Sequence, residues 1–131
     1  MHKHLSYETA RALGGAGVRV ASEYSYCPAG NVTPLCLTSE IEPLRAAGNE
    51  IVPAPDLVEL LAVLSVSLCD GADLIIGPEE RGGQLVWDMY YYHIWSGRTA
   101  HFTSHTSPVE AAGLLLLELA RKEIKPTPTG R

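Results

Sequence analysis

Two histidines and one aspartate have side chains that could form a metal site. His93 lies in one predicted strand and His101 in the next, and a tight turn at Ser96–Arg98 would bring the two imidazoles together across a hairpin. With the carboxylate of Asp88, they could hold Zn²⁺ in a small metal-binding or hydrolytic enzyme. Side chains alternate along a strand, however, so Asp88 and His93 point to opposite faces. Tetrahedral zinc needs three or four placed ligands, so we expect no metal and no cofactor.

The cysteines Cys27, Cys36 and Cys69 are the candidate nucleophiles. Cys27 and Cys36 bracket the Pro28–Pro34 loop and would face each other if that loop closed a hairpin. Three cysteines at irregular spacing do not form a disulfide framework, so two unpaired thiols are the favoured interpretation. A nucleophilic cysteine also requires a nearby base, and the sequence assigns none. We therefore predict no catalytic residue.

Motifs that bind phosphate or activate a serine are missing from the sequence. Neither G-x-S-x-G nor G-x-x-x-x-G-K-[ST] occurs. The glycine cluster Gly14, Gly15 and Gly17 follows a predicted helix rather than a strand, which indicates a helix cap and not a dinucleotide loop. Together with the cysteines and histidines, these observations predict that the chain is not an enzyme.

A predicted strand over Gln84–Trp95 carries large side chains on both faces. A strand with one face in water normally alternates apolar and polar residues. Here aromatic residues occur at both parities, so either the chain covers both faces itself or one face forms an interface. Tyrosine and tryptophan dominate contact hot spots. We therefore predict an interface on this strand. Its candidate residues are Trp87, Tyr90, Tyr91, Tyr92 and Trp95.

Three helices are predicted from capping residues and apolar periodicity. The first begins after the cap Ser6 and ends at the glycine cluster. The second opens at Pro55 and presents leucines on one face from Leu57 to Leu68. The third begins at Ser107, where Glu110 has the position of a capping-box residue that reaches back to the cap.

Strands fill much of the remaining sequence, and the segment Ser39–Asn49 is ambiguous between a helical turn and a loop. Loop lengths make the C-terminal strands an antiparallel meander. We predict an α+β fold in which an antiparallel sheet of four to five strands carries three helices packed mainly on one face. The principal predicted strands are Val18–Tyr26, Leu35–Thr38, Leu74–Ile76, Gln84–Trp95 and Thr99–Ser104.

Length and charge limit the classes of function. The chain has 131 residues, enough for a single domain, predicted over 1–125 with a disordered tail over 126–131. Its formal net charge is −5, and nucleic-acid binding normally needs a basic patch, so no nucleic-acid partner is expected. The first ten residues lack the apolar core of a signal peptide, and no apolar stretch is long enough to span a bilayer. We expect a cytoplasmic protein without membrane contact.

Three short stretches resemble a group of small, uncharacterised bacterial and phage or prophage proteins. They are Leu5–Ala10 leading to Ala16–Val18, Ala54–Leu61, and Ser107–Ala112. Family members tend to show S-x-E-x-A, A-P-T-L-x-E-L-L and T-P-x-E-A there; Asp56 and Ser107 each replace a threonine. The segment Tyr26–Gly48 departs from the pattern as an insertion would. The resemblance implies no activity and no catalytic residues.

These observations favour a non-enzymatic interaction module, phage-derived and self-associating through the aromatic strand. Two alternatives remain open at this point. One is the metal-binding or hydrolytic enzyme built on His93, His101 and Asp88. The other is a partner-binding protein similar to antitoxins, since the meander followed by a helix is similar to their partial ribonuclease-H fold. The last comparison is one of topology, which does not determine function.

Overall fold

The computed structural model describes residues 3–68 and 70–124. Helices and strands occur along these residues in the α+β arrangement that the sequence predicts. In chain order they are α1 (Tyr7–Gly15), β1 (Tyr24–Tyr26), β2 (Leu35–Leu37), α2 (Thr38–Ala46), β3 (Val52–Pro53), α3 (Leu57–Val63), β4 (Asp73–Arg81), β5 (Gln84–His93), β6 (Arg98–His105) and α4 (Pro108–Arg121). Cys69 and the predicted tail lie outside the described residues.

The strands form two antiparallel sheets rather than the single sheet of four to five strands predicted. The first has the order β2-β1-β3 and the second the order β4-β5-β6. Tyr24–Tyr26 pairs with Leu35–Leu37 on one side and with Val52 and Pro53 on the other. Both edges of β1 are thus occupied by short local strands, which prevents its addition to the meander. The predicted C-terminal meander is confirmed as the second sheet.

The described residues contain four helices, one more than predicted. The additional helix is α2, within the segment that the sequence left ambiguous. Ile41 is its one buried residue and Pro43 lies inside it. A helix with so little buried surface lacks the apolar periodicity that identifies helices in a sequence, and proline is an interior helix breaker.

One face of the second sheet is covered by helices. α4 packs on β5 and β6, while α1 and α3 pack on α4. The same buried cluster contains Met89 and Tyr91 of β5 together with Leu115 and Leu119 of α4, all 0% exposed. We call this covered side the inner face and the opposite side the outer face.

Leu5 joins three parts of the fold just before α1. Its backbone N–H donates to the Pro55 carbonyl at 2.9 Å, and its own carbonyl accepts from the Tyr26 hydroxyl at 2.6 Å. Its side chain is completely buried against Gly113 of α4, where a Cβ would overlap the leucine. A single residue thereby fixes the position of α1 against the first sheet and α4.

The caps of the helices agree in part with the sequence. Ser6 accepts from the Thr9 N–H at 3.3 Å, and Ser107 accepts from the Glu110 N–H at 3.4 Å. Asp56 and Glu59 form a capping box at the start of α3, so Pro55 precedes the cap rather than opening the helix. The predicted second helix was also too long. It ends at Val63, although Leu64 and Leu68 remain buried beyond it.

Candidate functional site

The outer face of the second sheet presents an apolar patch at its centre. Tyr90 of β5 is paired with Ile75 of β4, and directly paired residues of antiparallel strands share a face. Phe102 of β6 stacks on Tyr90, with ring centroids 5.7 Å apart and an interplanar angle of 28°. Ile75 is 36% and Phe102 48% exposed. We call these three residues the outer-face patch.

A neutralised ion pair lies beside the outer-face patch. Arg81 donates from Nη1 to Asp88 Oδ1 at 2.8 Å and from Nη2 to Asp88 Oδ2 at 2.6 Å. The same Nη1 donates to the Ser104 hydroxyl at 3.2 Å. Hydrogen bonds from Arg81 lower the pKa of Asp88, since they stabilise its carboxylate. The charge of each partner is thus compensated within the chain.

The five aromatic residues predicted as an interface are divided among different environments. Tyr90 and Tyr92 are half-buried on the outer face. Trp87 is half-buried and packs against the inner core. Trp95 is 98% exposed in the turn after β5. They therefore do not form one surface.

Tyr91 must be removed from the predicted interface. Its side chain is 0% exposed, and its hydroxyl donates to the Ser65 carbonyl at 2.8 Å inside the core. Burial raises the pKa of Tyr91 to about 12, because the phenolate would be poorly solvated there. Ile75 and Phe102 were not predicted, because their alignment with Tyr90 depends on strand register. Alternation along each strand was the available signal, but it does not give that register.

The candidate metal residues are also separated. His93 and His101 both lie on the inner side, where His93 Nε2 is 3.1 Å from Asp70 Oδ2. Asp88 points to the outer face and is held by Arg81. Among residues 3–68 and 70–124, no group of three or more His, Cys, Asp and Glu side chains could hold a metal ion. The set His93, His101 and Asp88 is therefore not brought together.

His101 occupies an unusual backbone position. It has a φ of 57° where the pairing of β5 with β6 shifts between Met89 and Tyr91. Its ring is nearly perpendicular to that of Tyr91, with ring centroids 6.3 Å apart, and Lys122 Nζ lies 3.4 Å from its Nδ1. Burial lowers the pKa of His101, and the charge of Lys122 lowers it further. Glu118, 4.0 Å from the same nitrogen, opposes these effects, but the net lowering of the pKa favours the neutral imidazole at this β-bulge.

Cys27 and Cys36 are free thiols, as the sequence analysis favours. The strand register explains their separation, because Cys36 is paired with Ser25 while Cys27 follows the end of β1. Cys27 is buried and Cys36 is half-buried. Neither residue contributes to the outer face of the second sheet.

No protein-family model, curated protein or solved structure matches this chain. Within the described ranges, the helices are too short or too polar to cross a membrane. The outer face of the second sheet is the surface on which we base a functional proposal.

Proposed function

We propose that this chain is a non-enzymatic interaction module that self-associates through the outer face of its second sheet. The observation that carries the proposal is the stacked pair Tyr90 and Phe102, which lies with Ile75 on the side of the sheet opposite α4. Tyrosine is one of the residue types enriched among the few residues that carry most of the binding energy in protein contacts. The resemblance in the sequence extends the proposal to a phage-derived origin.

Features of the sheet edges favour association through a face. The edge strand β4 contains Pro78, followed by the exposed Glu79 and Glu80. Proline and charged residues on an edge hinder the addition of another strand. The other edge strand, β6, is interrupted by the bulge at His101. Bulges likewise protect an edge, so face-to-face packing is the favoured mode.

A second copy of the chain is the occupant that best fits the charge of this face. Arg81 and Asp88 already neutralise each other, so the central patch needs no partner of opposite charge. In a two-fold symmetric interface the same patch packs against itself. An uncharged group of Ile75, Tyr90 and Phe102 satisfies this requirement, whereas a patch of one charge would repel its copy.

The size of the face indicates a weak dimer. Three strands about 4.8 Å apart, each with about eight residues at 3.3 Å per residue, give a footprint of roughly 14 Å by 26 Å. A standard stable interface covers about 800 Å² on each partner. The footprint is less than half of that, so we expect association far weaker than in an obligate dimer, with a dissociation constant of roughly 10 µM to 1 mM.

Sedimentation velocity between about 10 µM and 1 mM protein tests the proposal, because it spans the expected dissociation constant. The average mass should rise from 14.1 kDa towards twice that value. Phe102→Lys should remain monomeric, since it places a charge in the centre of the patch. The matched control is Val58→Lys, a change at a 76% exposed position of α3, which should associate like the parent chain.

Two results would overturn self-association through this face. One is a parent chain that stays at 14.1 kDa throughout the concentration range. The other is a folded Phe102→Lys variant that associates as strongly as the parent. Circular dichroism of each variant shows whether the fold is retained before the masses are compared.

A further inference from the structure

A cleft of about 510 Å³ is bordered by the end of α1, residues 17–20 and residues 50–55, with α2 contributing Arg45. Small-molecule sites commonly have volumes of about 300–1,000 Å³. The lining includes the buried apolar side chains of Leu13, Val20 and Val52. The cleft therefore has the size and the apolar surface to hold the body of a small organic molecule.

The cleft is positively charged although the whole chain is acidic. Its lining contains Arg11, Arg19 and Arg45 and one acidic residue, Glu50. Three positive charges and one negative charge give a formal +2 for the lining, or +1 when Glu42, the ion-pair partner of Arg45, is included, against −5 for the chain. Such a concentration of positive charge attracts anions. The cleft thus combines an apolar surface with a preference for negative charge.

The three arginines differ in the hydrogen bonds and ion pairs that they make within the chain. Arg11 Nε lies 3.6 Å from Glu50 Oε2. Arg45 Nε lies 3.2 Å from Glu42 Oε2, yet its N–H is buried and makes no hydrogen bond. Arg19 is exposed and has no hydrogen bond or ion pair within residues 3–68 and 70–124. Arg19 therefore retains its donors for a ligand. The Nε–H of Arg45 is closed off from a ligand, but its two Nη groups make no hydrogen bond among the described residues and retain theirs.

Two glycines of the cleft wall are required neither for a positive φ nor for close packing within the fold. Gly14 and Gly15 are in the last turn of α1, and neither has a positive φ. A Cβ at either position would meet nothing within 4 Å. Alanine would make the helix more stable than glycine does. Close approach of a ligand to the backbone is one reason for glycine at such positions, besides the termination of α1.

We propose that this cleft binds a small amphiphilic anion, meaning an apolar body that bears a carboxylate or phosphate group. Arg19 and Arg45 pair with the anionic group, because the planar guanidinium matches the geometry of both oxyanions. The apolar body lies against Leu13, Val20 and Val52, and the bare backbone at Gly14 and Gly15 leaves room for it. This binding is separate from the self-association proposed for the outer face.

Titration of the full chain with octanoate and octyl phosphate tests the site by amide NMR. Both should bind saturably, with shifts concentrated on the amides of Gly14, Gly15, Gly17, Ile51 and Val52. Octanol and octylammonium have the same apolar body without the negative charge. We expect each to bind at least about tenfold more weakly, since they gain no arginine pairing. The stronger of the two anions distinguishes a carboxylate from a phosphate ligand.

Variants assign the binding to particular residues. Arg19→Gln combined with Arg45→Gln should weaken octanoate and octyl phosphate by about tenfold or more, through lost charge-assisted hydrogen bonds. The matched control Arg98→Gln changes an exposed arginine outside the cleft and should leave both affinities unchanged. Gly14→Ala should raise the melting temperature by about 2–6 °C while weakening binding.

Any of the following results would overturn the proposal. The first is the absence of saturable shifts up to several millimolar of either anion. The second is equal affinity for octanol and octanoate, or shifts centred on Tyr90 and Phe102. The third is unchanged anion affinity in the folded double arginine variant. Loss of binding in Gly14→Ala together with a lower melting temperature would count against the ligand role of this glycine.

Discussion

Glu110 of α4 binds Ser6, the capping residue of α1, rather than its own cap Ser107. Its Oε2 accepts from the Ser6 N–H at 3.2 Å and its Oε1 from the Ser6 hydroxyl at 2.7 Å. The Thr9 hydroxyl also donates to Oε1. The prediction that Glu110 reaches back to Ser107 was therefore wrong. One carboxylate instead satisfies donors at the start of α1 while it occupies the first turn of α4.

Replacement of Glu110 should separate the two helix starts. We expect Glu110→Ala to lower the free energy of unfolding by about 1–2 kcal/mol, because capping and charge-assisted hydrogen bonds are lost together. Glu110→Gln should lower the free energy of unfolding by less, since its amide oxygen can still accept a hydrogen bond. Urea denaturation measures both, with Glu8→Ala as the exposed first-turn control. A cost of Glu110→Ala no greater than that of Glu8→Ala would contradict the tertiary role.

Leu5 and Gly113 should show strong coupling in a double-mutant cycle. A Cβ on Gly113 would lie 3.1 Å from Leu5 Cδ2 and closer still to Cδ1. Gly113→Ala alone should destabilise by about 1–2 kcal/mol, since overpacking exceeds the gain in helix propensity. In a Leu5→Ala background the same change should be neutral or stabilising. Equal effects of Gly113→Ala in the two backgrounds would show that the predicted overlap is relieved without cost.

Tyr91 should make the fold less stable as the pH rises into the alkaline range. Its pKa in the folded chain is raised to about 12, above the value of about 10 for an unfolded tyrosine. The unfolded chain therefore loses this proton first, and the contribution of Tyr91 to stability is complete below pH ~10 and decreases as pH rises towards 12. Tyr91→Phe should cost about 1 kcal/mol at neutral pH through its hydrogen bond.

Denaturation of the parent chain and of Tyr91→Phe at pH values from neutral to alkaline measures the difference between their free energies of unfolding. The gap between the parent and Tyr91→Phe should narrow above pH ~10 as the unfolded tyrosine ionises. Tyr92→Phe, on the outer face of the same strand, is the matched control. A parent-to-variant gap that is constant with pH would show that the Tyr91 hydroxyl ionises as it does in the unfolded chain.

Replacement of His101 by glycine should destabilise the fold less than replacement by alanine. Both substitutions remove the contacts with Tyr91 and Lys122, but the backbone φ of 57° persists. Glycine adopts this conformation without the steric cost that a Cβ brings. We expect His101→Gly to be about 1 kcal/mol more stable than His101→Ala in thermal unfolding. The reverse order would show that the bulge relaxes when the imidazole is removed.

Local features of the fold could be predicted from the sequence because short-range chemistry determines them. Ser6 and Ser107 are capping residues whose partners lie three positions away, and both were identified. The glycine cluster ends α1 as expected, with Gly17 at a φ of 82°. The meander followed from the Gly82–Gly83 turn and the apolar strands around it.

Long-range features could not be predicted, since they depend on which elements meet. The separate first sheet arises from the pairing of β1 with β2 and β3, which no local pattern specifies. The proximity of Phe102 to Tyr90 requires the register of β5 and β6 together with their bulge. Similarly, Arg19 and Arg45 line one cleft although 26 positions separate them (45 − 19).

The packing of α1 on α4 also affects how the chain folds during synthesis. Ser6 and Glu110 are 104 positions apart, so α1 leaves the ribosome long before its partner is translated. A helix of nine residues is not stable alone in water, and its buried residues Ala10 and Leu13 lack α4 until then. The helical layer must therefore assemble late, after α4 emerges. Until that step, apolar side chains of the nascent chain remain available to chaperones.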